Sequence, residues 1–169
     1  FNVNALQLTN LYPDKKINTI RIYKQWAILA TNFGIVIIDL IKHEVKDNWF
    51  PNNNQQPIAT LDVLIANDSV YATTSNGLWA SAFNANTLQP NQWNRLTGYD
   101  RYTLKKLTQY NGNIYGYNNH SFFQLPQTNP FLQFTNATIN HVDTSATNLY
   151  IGIQYPNQKG ALLQLNKDK

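Results

Sequence analysis

A short segment of this chain occurs twice: Ile28-Leu29-Ala30-Thr31-Asn32-Phe33-Gly34-Ile35-Val36 lines up with Val70-Tyr71-Ala72-Thr73-Thr74-Ser75-Asn76-Gly77-Leu78-Trp79 after one inserted residue, at an offset of 42 to 43. Two weaker echoes come later, Ile114-Tyr115-Gly116 and Leu149-Tyr150-Ile151. Ahead of each copy stands an apolar-x-x-apolar pair: Ile17 with Ile20, Ile58 with Leu61, Leu104 with Leu107, Ile139 with Val142. A chain that repeats at a period of roughly 40 to 45 residues is built from supersecondary units that bury their apolar faces against their neighbours.

Within one unit the pattern is a meander of strands. Ile58 to Ile65 leads through Asn67-Asp68-Ser69 into Val70 to Thr74, through Asn76-Gly77 into Leu78 to Phe83, and on to Trp93 to Leu96. Asn-Gly and Asn-Asp pairs favour tight hairpins because they tolerate positive φ. The composition agrees: 25 Asn and 22 aromatic residues suit turns and pleated surfaces, whereas one Glu and seven scattered Pro leave little room for helices. Four strands per unit at this period predict an all-β β-propeller with about four four-stranded antiparallel blades, part of a larger propeller. A β-sandwich also meanders, but has no reason to repeat Gly at constant spacing. The expected organisation is one partial propeller domain over 1–169, with blades at 17–57, 58–103, 104–138 and 139–169, and 1–16 as strand or linker from a preceding blade.

Several chemistries drop out. With no Cys there is no disulfide framework, thiolate metal site or cysteine nucleophile. The aliphatic run Ile35 to Ile38 stops at Asp39, far short of the roughly 20 apolar residues of a membrane span. A start at Phe1 and the lack of Met suggest a processed chain or an excised fragment. None of the five Ser sits in a Gly-x-Ser-x-Gly setting. His141-x-Asp143 shares one strand face but lacks a third ligand, and His43-Glu44 reads as solvated strand, so no metal and no cofactor are expected. Asp62 and Asp143, on nearly equivalent first-strand slots, are the one carboxylate pair that a glycosidase or lyase reading could use. Trp49 and Trp93 fall at corresponding places in fourth strands and are expected to pack between blades.

The net charge of +4 is scattered. Only 95–106 clusters basic residues with aromatics, and Arg95, Tyr99, Arg101, Tyr102, Lys105 and Lys106 are the candidate ligand-binding residues, for a polysaccharide or protein rather than a nucleic acid. Asp68-Ser69-Val70 resembles an Asp-Ser-apolar O-glycosylation sequence, and three Asn-x-Ser/Thr matches are expected by chance in a chain so rich in these residues.

The stretch Val70 to Trp79 resembles the two-component regulator propeller repeat. Leu29-Ala30-Thr31-Asn32-Phe33-Gly34-Ile35-Val36-Ile37-Ile38-Asp39-Leu40 and the loop Asn84 to Trp93 are similar, more narrowly, to the PorZ-like N-terminal propeller family of the type IX secretion system of Bacteroidetes. The resemblance covers 17–165 and thins in the third unit, where His120 stands for the blade Gly. It implies an extracytoplasmic protein at the outer-membrane surface or in the periplasm. Its expected role is a non-enzymatic scaffold or binding platform for other secretion-system proteins (the sortase complex) and for anionic lipopolysaccharide. The matched positions Ala30, Thr31, Gly34, Ala72, Thr73 and Gly77 would then be architectural. The alternative is an extracytoplasmic sensor propeller of a two-component regulator that binds a glycan fragment.

Overall fold

A computed structural model describes residues 14–84, 89–90, 92–100, 102–157 and 159–166, and every regular element among them is a β-strand. The chain divides into two compact units, Phe1–Thr103 and Leu104–Lys169. The first holds two sheets: β1 (Ile17–Tyr23), β2 (Trp26–Thr31), β3 (Gly34–Asp39) and β4 (Glu44–Trp49); then β5 (Thr60–Ala66), β6 (Ser69–Thr74), β7 (Gly77–Asn84), β8 (Gln89–Pro90) and β9 (Asn94–Leu96). The second holds β10 (Lys106–Tyr110), β11 (Asn113–Tyr117), β12 (Ser121–Leu125) and β13 (Leu132–Gln133), and then β14 (Thr138–Thr144), β15 (Asn148–Gln154) and β16 (Gly160–Asn166). All sixteen pair antiparallel with strands close by in sequence, as a meander requires. In the second sheet β8 and β9 occupy successive stretches of the one edge of β7, so one interrupted strand fills the fourth place. The fourth sheet has three strands among the described residues.

Turn chemistry explains the corners. Asn67 and Asp68 (φ 51° and 53°) join β5 to β6, and Asn111-Gly112 (φ 49° and 75°) joins β10 to β11, each as a two-residue loop with both residues left-handed. Such turns match the right-handed twist of the strands they link. Between second and third strands a different device recurs. The Thr31 hydroxyl donates to the Gly34 carbonyl (2.9 Å) and accepts the Phe33 N–H (3.2 Å). Thr74 does the same with Gly77 (3.0 Å) and Asn76 (3.1 Å). Gly34 and Gly77 have φ of 136° and 112°, where an L side chain is strained. The counterpart of Thr31 is therefore Thr74, not Thr73, and the two copies align at a constant offset of 43 with no insertion. In the third sheet Asn118 Oδ1 accepts the N–H groups of His120 and Ser121, and Tyr117 pairs with Phe122 as Ala30 pairs with Ile35. Ser121, rather than His120, thus takes the glycine's place.

Three of the four first strands, β10 being the exception, share a second device. A register shift falls between Ile17 and Thr19, between Thr60 and Asp62, and between Ile139 and His141. One extra residue bulges each strand at the same point and re-aims the side chains beyond it. This register makes Thr19, Asp62 and His141 equivalent; Asp143 matches Leu64, so Asp62 and Asp143 are two residues out of step.

Inside the first unit one face of each sheet closes on the other. Ile28, Ala30, Ile35, Ile37 and Trp49 pack with Val63, Val70, Ala72, Trp79, Phe83 and Trp93. Phe83 meets Tyr23 and Trp49 edge-on, with centroids 5.7 and 5.8 Å apart. Both Trp49 and Trp93 are buried. They are not equivalent, however: Trp49 opposes Ile35, and the residue at that place in the second sheet is Leu96, opposite Leu78. The first strands are also stitched by polar groups. Asn18 Nδ2 donates to the Thr60 carbonyl and the Thr19 hydroxyl to that of Leu61, both at 2.8 Å. Arg21 donates through Nε and Nη2 to the two carboxylate oxygens of Asp62. In the second unit Tyr110, Tyr115, Tyr117 and Phe122 pack with Ile139, Leu149, Ile151 and Ile153.

Candidate functional site

A cavity of about 430 Å³ in the first unit is lined by Asn53, Ser75, Asn76, Gly77, Trp79, Arg95, Asp100, Tyr102 and Thr103. Four parts of the chain build it. The β4–β5 loop supplies Asn53, the β6–β7 turn Ser75 to Gly77, β7 and β9 the cross-strand pair Trp79 and Arg95, and the segment after β9 returns Asp100, Tyr102 and Thr103. Gly77 does two jobs here. Its positive φ closes the turn, and the missing side chain leaves room for Arg95, whose Nε would lie 3.3 Å from a Cβ at that position.

Arg95 is already engaged: Nη2 lies 2.7 Å from Asp100 Oδ1, and both side chains are about half exposed. A pair so open to water contributes at most about 1 kcal/mol to stability and exchanges partners readily. The Trp79 indole N–H is buried with no hydrogen-bond partner among the described residues. Leaving such a donor unmet costs about 1–3 kcal/mol. The cavity thus presents a guanidinium in a replaceable pair beside the Tyr102 ring, a set suited to an oxyanion-bearing ligand, while the Trp79 indole nitrogen stays shut off from solvent within the core.

Of the six residues singled out in sequence, Arg95 and Tyr102 come together here. Tyr99 does not: it is 1% exposed, and burial pushes its phenol up to about 12, so it is a core side chain rather than a stacking surface. Arg101 lies outside the described residues. Lys105 and Lys106 belong to the second unit, where Lys105 Nζ donates to Asn119 Oδ1 (2.7 Å) and Lys106 begins β10. Sequence reasoning missed Asn53, Trp79 and Asp100. Asp100 was visible as the acid nearest Arg95, but Trp79 and Asn53 reach the cavity only through strand pairing and loop return.

The carboxylates that a hydrolase would need are differently placed. Asp62 is fully buried and held at both oxygens by Arg21, out of reach of a substrate proton. Asp143 is an exposed residue of the second unit whose Oδ1 accepts the Thr144 N–H. No group of three metal-capable side chains occurs among the described residues.

Repeated antiparallel meanders, with a turn device and a first-strand bulge that recur from sheet to sheet, are those of a β-propeller, and solved structures agree. PorZ of Porphyromonas gingivalis, described as an essential bacterial surface component of the type IX secretion system, superposes with a TM-score of 0.68 at 17% identity, over 98% of this chain and 23% of its own. Two extracellular domains from B. thetaiotaomicron also superpose. BT4673, named as a one-component system, gives 0.62 at 15% identity (95% of this chain, 22% of that one), and BT3049, named as a hybrid two-component system, gives 0.59 at 15% (90% and 23%). The chain therefore spans about a quarter of each of these proteins. No curated protein matches it in sequence. Residues 1–94 match the family described as the N-terminal β-propeller domain of PorZ of the type IX secretion system, and the chain belongs to that family.

Proposed function

We propose that this chain is a non-enzymatic binding module of a PorZ-like secretion protein, acting at the outer-membrane surface as a platform for the sortase complex and for anionic lipopolysaccharide. The four sheets would be successive blades of one domain, with the boundaries expected from sequence. The observation that carries the ligand half of this reading is the cavity at Arg95, where an exchangeable guanidinium beside the Tyr102 ring suits phosphate or carboxylate oxygens. Family membership supports the secretion context, and the description of PorZ as a surface component supports an extracytoplasmic location.

The test is made in the complete parent protein. Arg95→Ser and Tyr102→Ala, singly and together, are expected to lower capture of anionic lipopolysaccharide about tenfold or more while the far-ultraviolet spectrum is unchanged. Surface display of secreted cargo should fall with it. Wild-type capture and display in the double variant would remove the cavity from the function. Capture of a free oligosaccharide by a parent whose downstream sequence carries a membrane span and kinase would instead establish the sensor alternative.

A further inference from the structure

A second cavity, of about 350 Å³, lies wholly in the second unit, where the β11–β12 turn meets the start of β14 and the end of β15. Thr138 and Gln154 are cross-strand partners there, so one edge of the cavity is a paired sheet and the rest comes from the flanking turns. His120 Nδ1 lies 2.9 Å from the Ala137 carbonyl. A carbonyl only accepts, so Nδ1 carries the proton and Nε2 is left as an acceptor in the neutral ring. Gln154 is oriented as firmly: its Oε1 accepts from Asn140 Nδ2 (2.7 Å), which leaves the Gln154 amide N–H groups as donors. Asn136 and the Tyr155 hydroxyl have no side-chain partner among the described residues. The Tyr155 ring, 40% exposed, and Pro156 add an apolar wall.

What the lining lacks narrows the ligand. Among the described residues it holds no Lys, Arg, Asp or Glu, so no permanently charged side chain offsets the desolvation of an ionised group and no carboxylate is there to hold a cation. Its polar groups are too many for an acyl chain. Fixed donors and acceptors beside a flat aromatic face complement a ring that carries hydroxyls on its edge and C–H bonds on its faces. We infer that this pocket binds an uncharged pyranose. The site shares no residue with the Arg95 cavity, and either can fail without the other.

The experiment is a titration of the chain, monitored by amide proton–nitrogen spectra, with methyl β-glucoside and N-acetylglucosamine as neutral probes and glucuronate and glucose 6-phosphate as charged ones. Neutral sugars should move the resonances of Ala137, Thr138, Gln154 and Tyr155 saturably, with dissociation constants in the millimolar range typical of small wet sites. Tyr155→Ala and Gln154→Ala, both exposed and so dispensable to the core, should each weaken binding about tenfold. Arg95→Ser should leave it unchanged. The inference is overturned by the absence of saturable shifts at these residues, by shifts that survive both pocket variants, or by charged sugars binding more tightly than neutral ones.

Discussion

Arg21 on β1 holds Asp62 on β5 by both carboxylate oxygens, joining the first strands of two neighbouring sheets 41 residues apart. Asp62 is fully buried and the guanidinium is partly exposed. Removing the arginine takes the paired cation away from a buried carboxylate. Arg21→Ala is therefore expected to destabilise the chain by about 2–4 kcal/mol, and pairing it with Asp62→Leu should recover much of the loss because the buried charge that has lost its cation is gone. Urea unfolding of the two variants and the wild type checks this; equal stability of the single and double variants would refute it.

The two hairpin glycines should differ in what they tolerate. At Gly34 a Cβ would lie 2.8 Å from the backbone oxygen of Trp49, which cannot yield without moving β4. At Gly77 the nearest atom is the flexible Arg95 side chain. Both positions are strained by positive φ, so Gly77→Ala should cost about 1–2 kcal/mol and Gly34→Ala about 3 kcal/mol or more. Thermal melts of the two variants should rank them in that order.

Thr73 and Thr74 separate by a similar logic. Thr74 closes the turn with two hydrogen bonds, whereas Thr73 donates to the Asp62 carbonyl only at 3.5 Å, beyond ordinary strength. Thr74→Val is expected to lose about 1–2 kcal/mol and Thr73→Val to stay within about 0.5 kcal/mol of wild type. The reverse order would restore the alignment that pairs Thr31 with Thr73.

That pair of threonines shows how far the sequence could be read. The repeat, its meander and its turn types were legible because Asn-Asp and Asn-Gly pairs and the two hairpin glycines state a backbone requirement in the residue itself. Register was not. Ala72-Thr73-Thr74 offers either threonine to an alignment, and the choice is made by which hydroxyl reaches a carbonyl three residues on. The third sheet hid its turn by closing it with Asn118 and placing Ser121 where glycine is expected. At the site, charge and aromatic clustering found Arg95 and Tyr102. Whether a tyrosine faces water or the core depends on packing, so Tyr99 was misplaced, and Trp79 and Asn53 come from distant positions that no local pattern joins.

Tyr99 makes that misplacement measurable. With its phenol pushed up to about 12 by burial, it should remain protonated after exposed tyrosines have ionised. Unfolded tyrosine ionises near 10, so between about pH 10 and 12 the unfolded chain has released a proton that the folded chain retains, and stability falls as pH rises through that window. A phenolate absorbance titration of the folded chain should show a late component that Tyr99→Phe removes. Its persistence in that variant would place the slow titration elsewhere, Tyr115 being the other phenol raised by burial.

The ion pair between Arg95 and Asp100 has a kinetic consequence. With the cation already neutralised by its neighbour, the cavity projects little field into solution, and an arriving anion is not drawn in over long distances. On the proposed reading, occupancy would proceed by exchange, one carboxylate leaving as another oxyanion arrives. Capture would then depend on how long a ligand lingers rather than how fast it is found, and a site of this kind would favour a ligand held by further contacts over a simple inorganic anion.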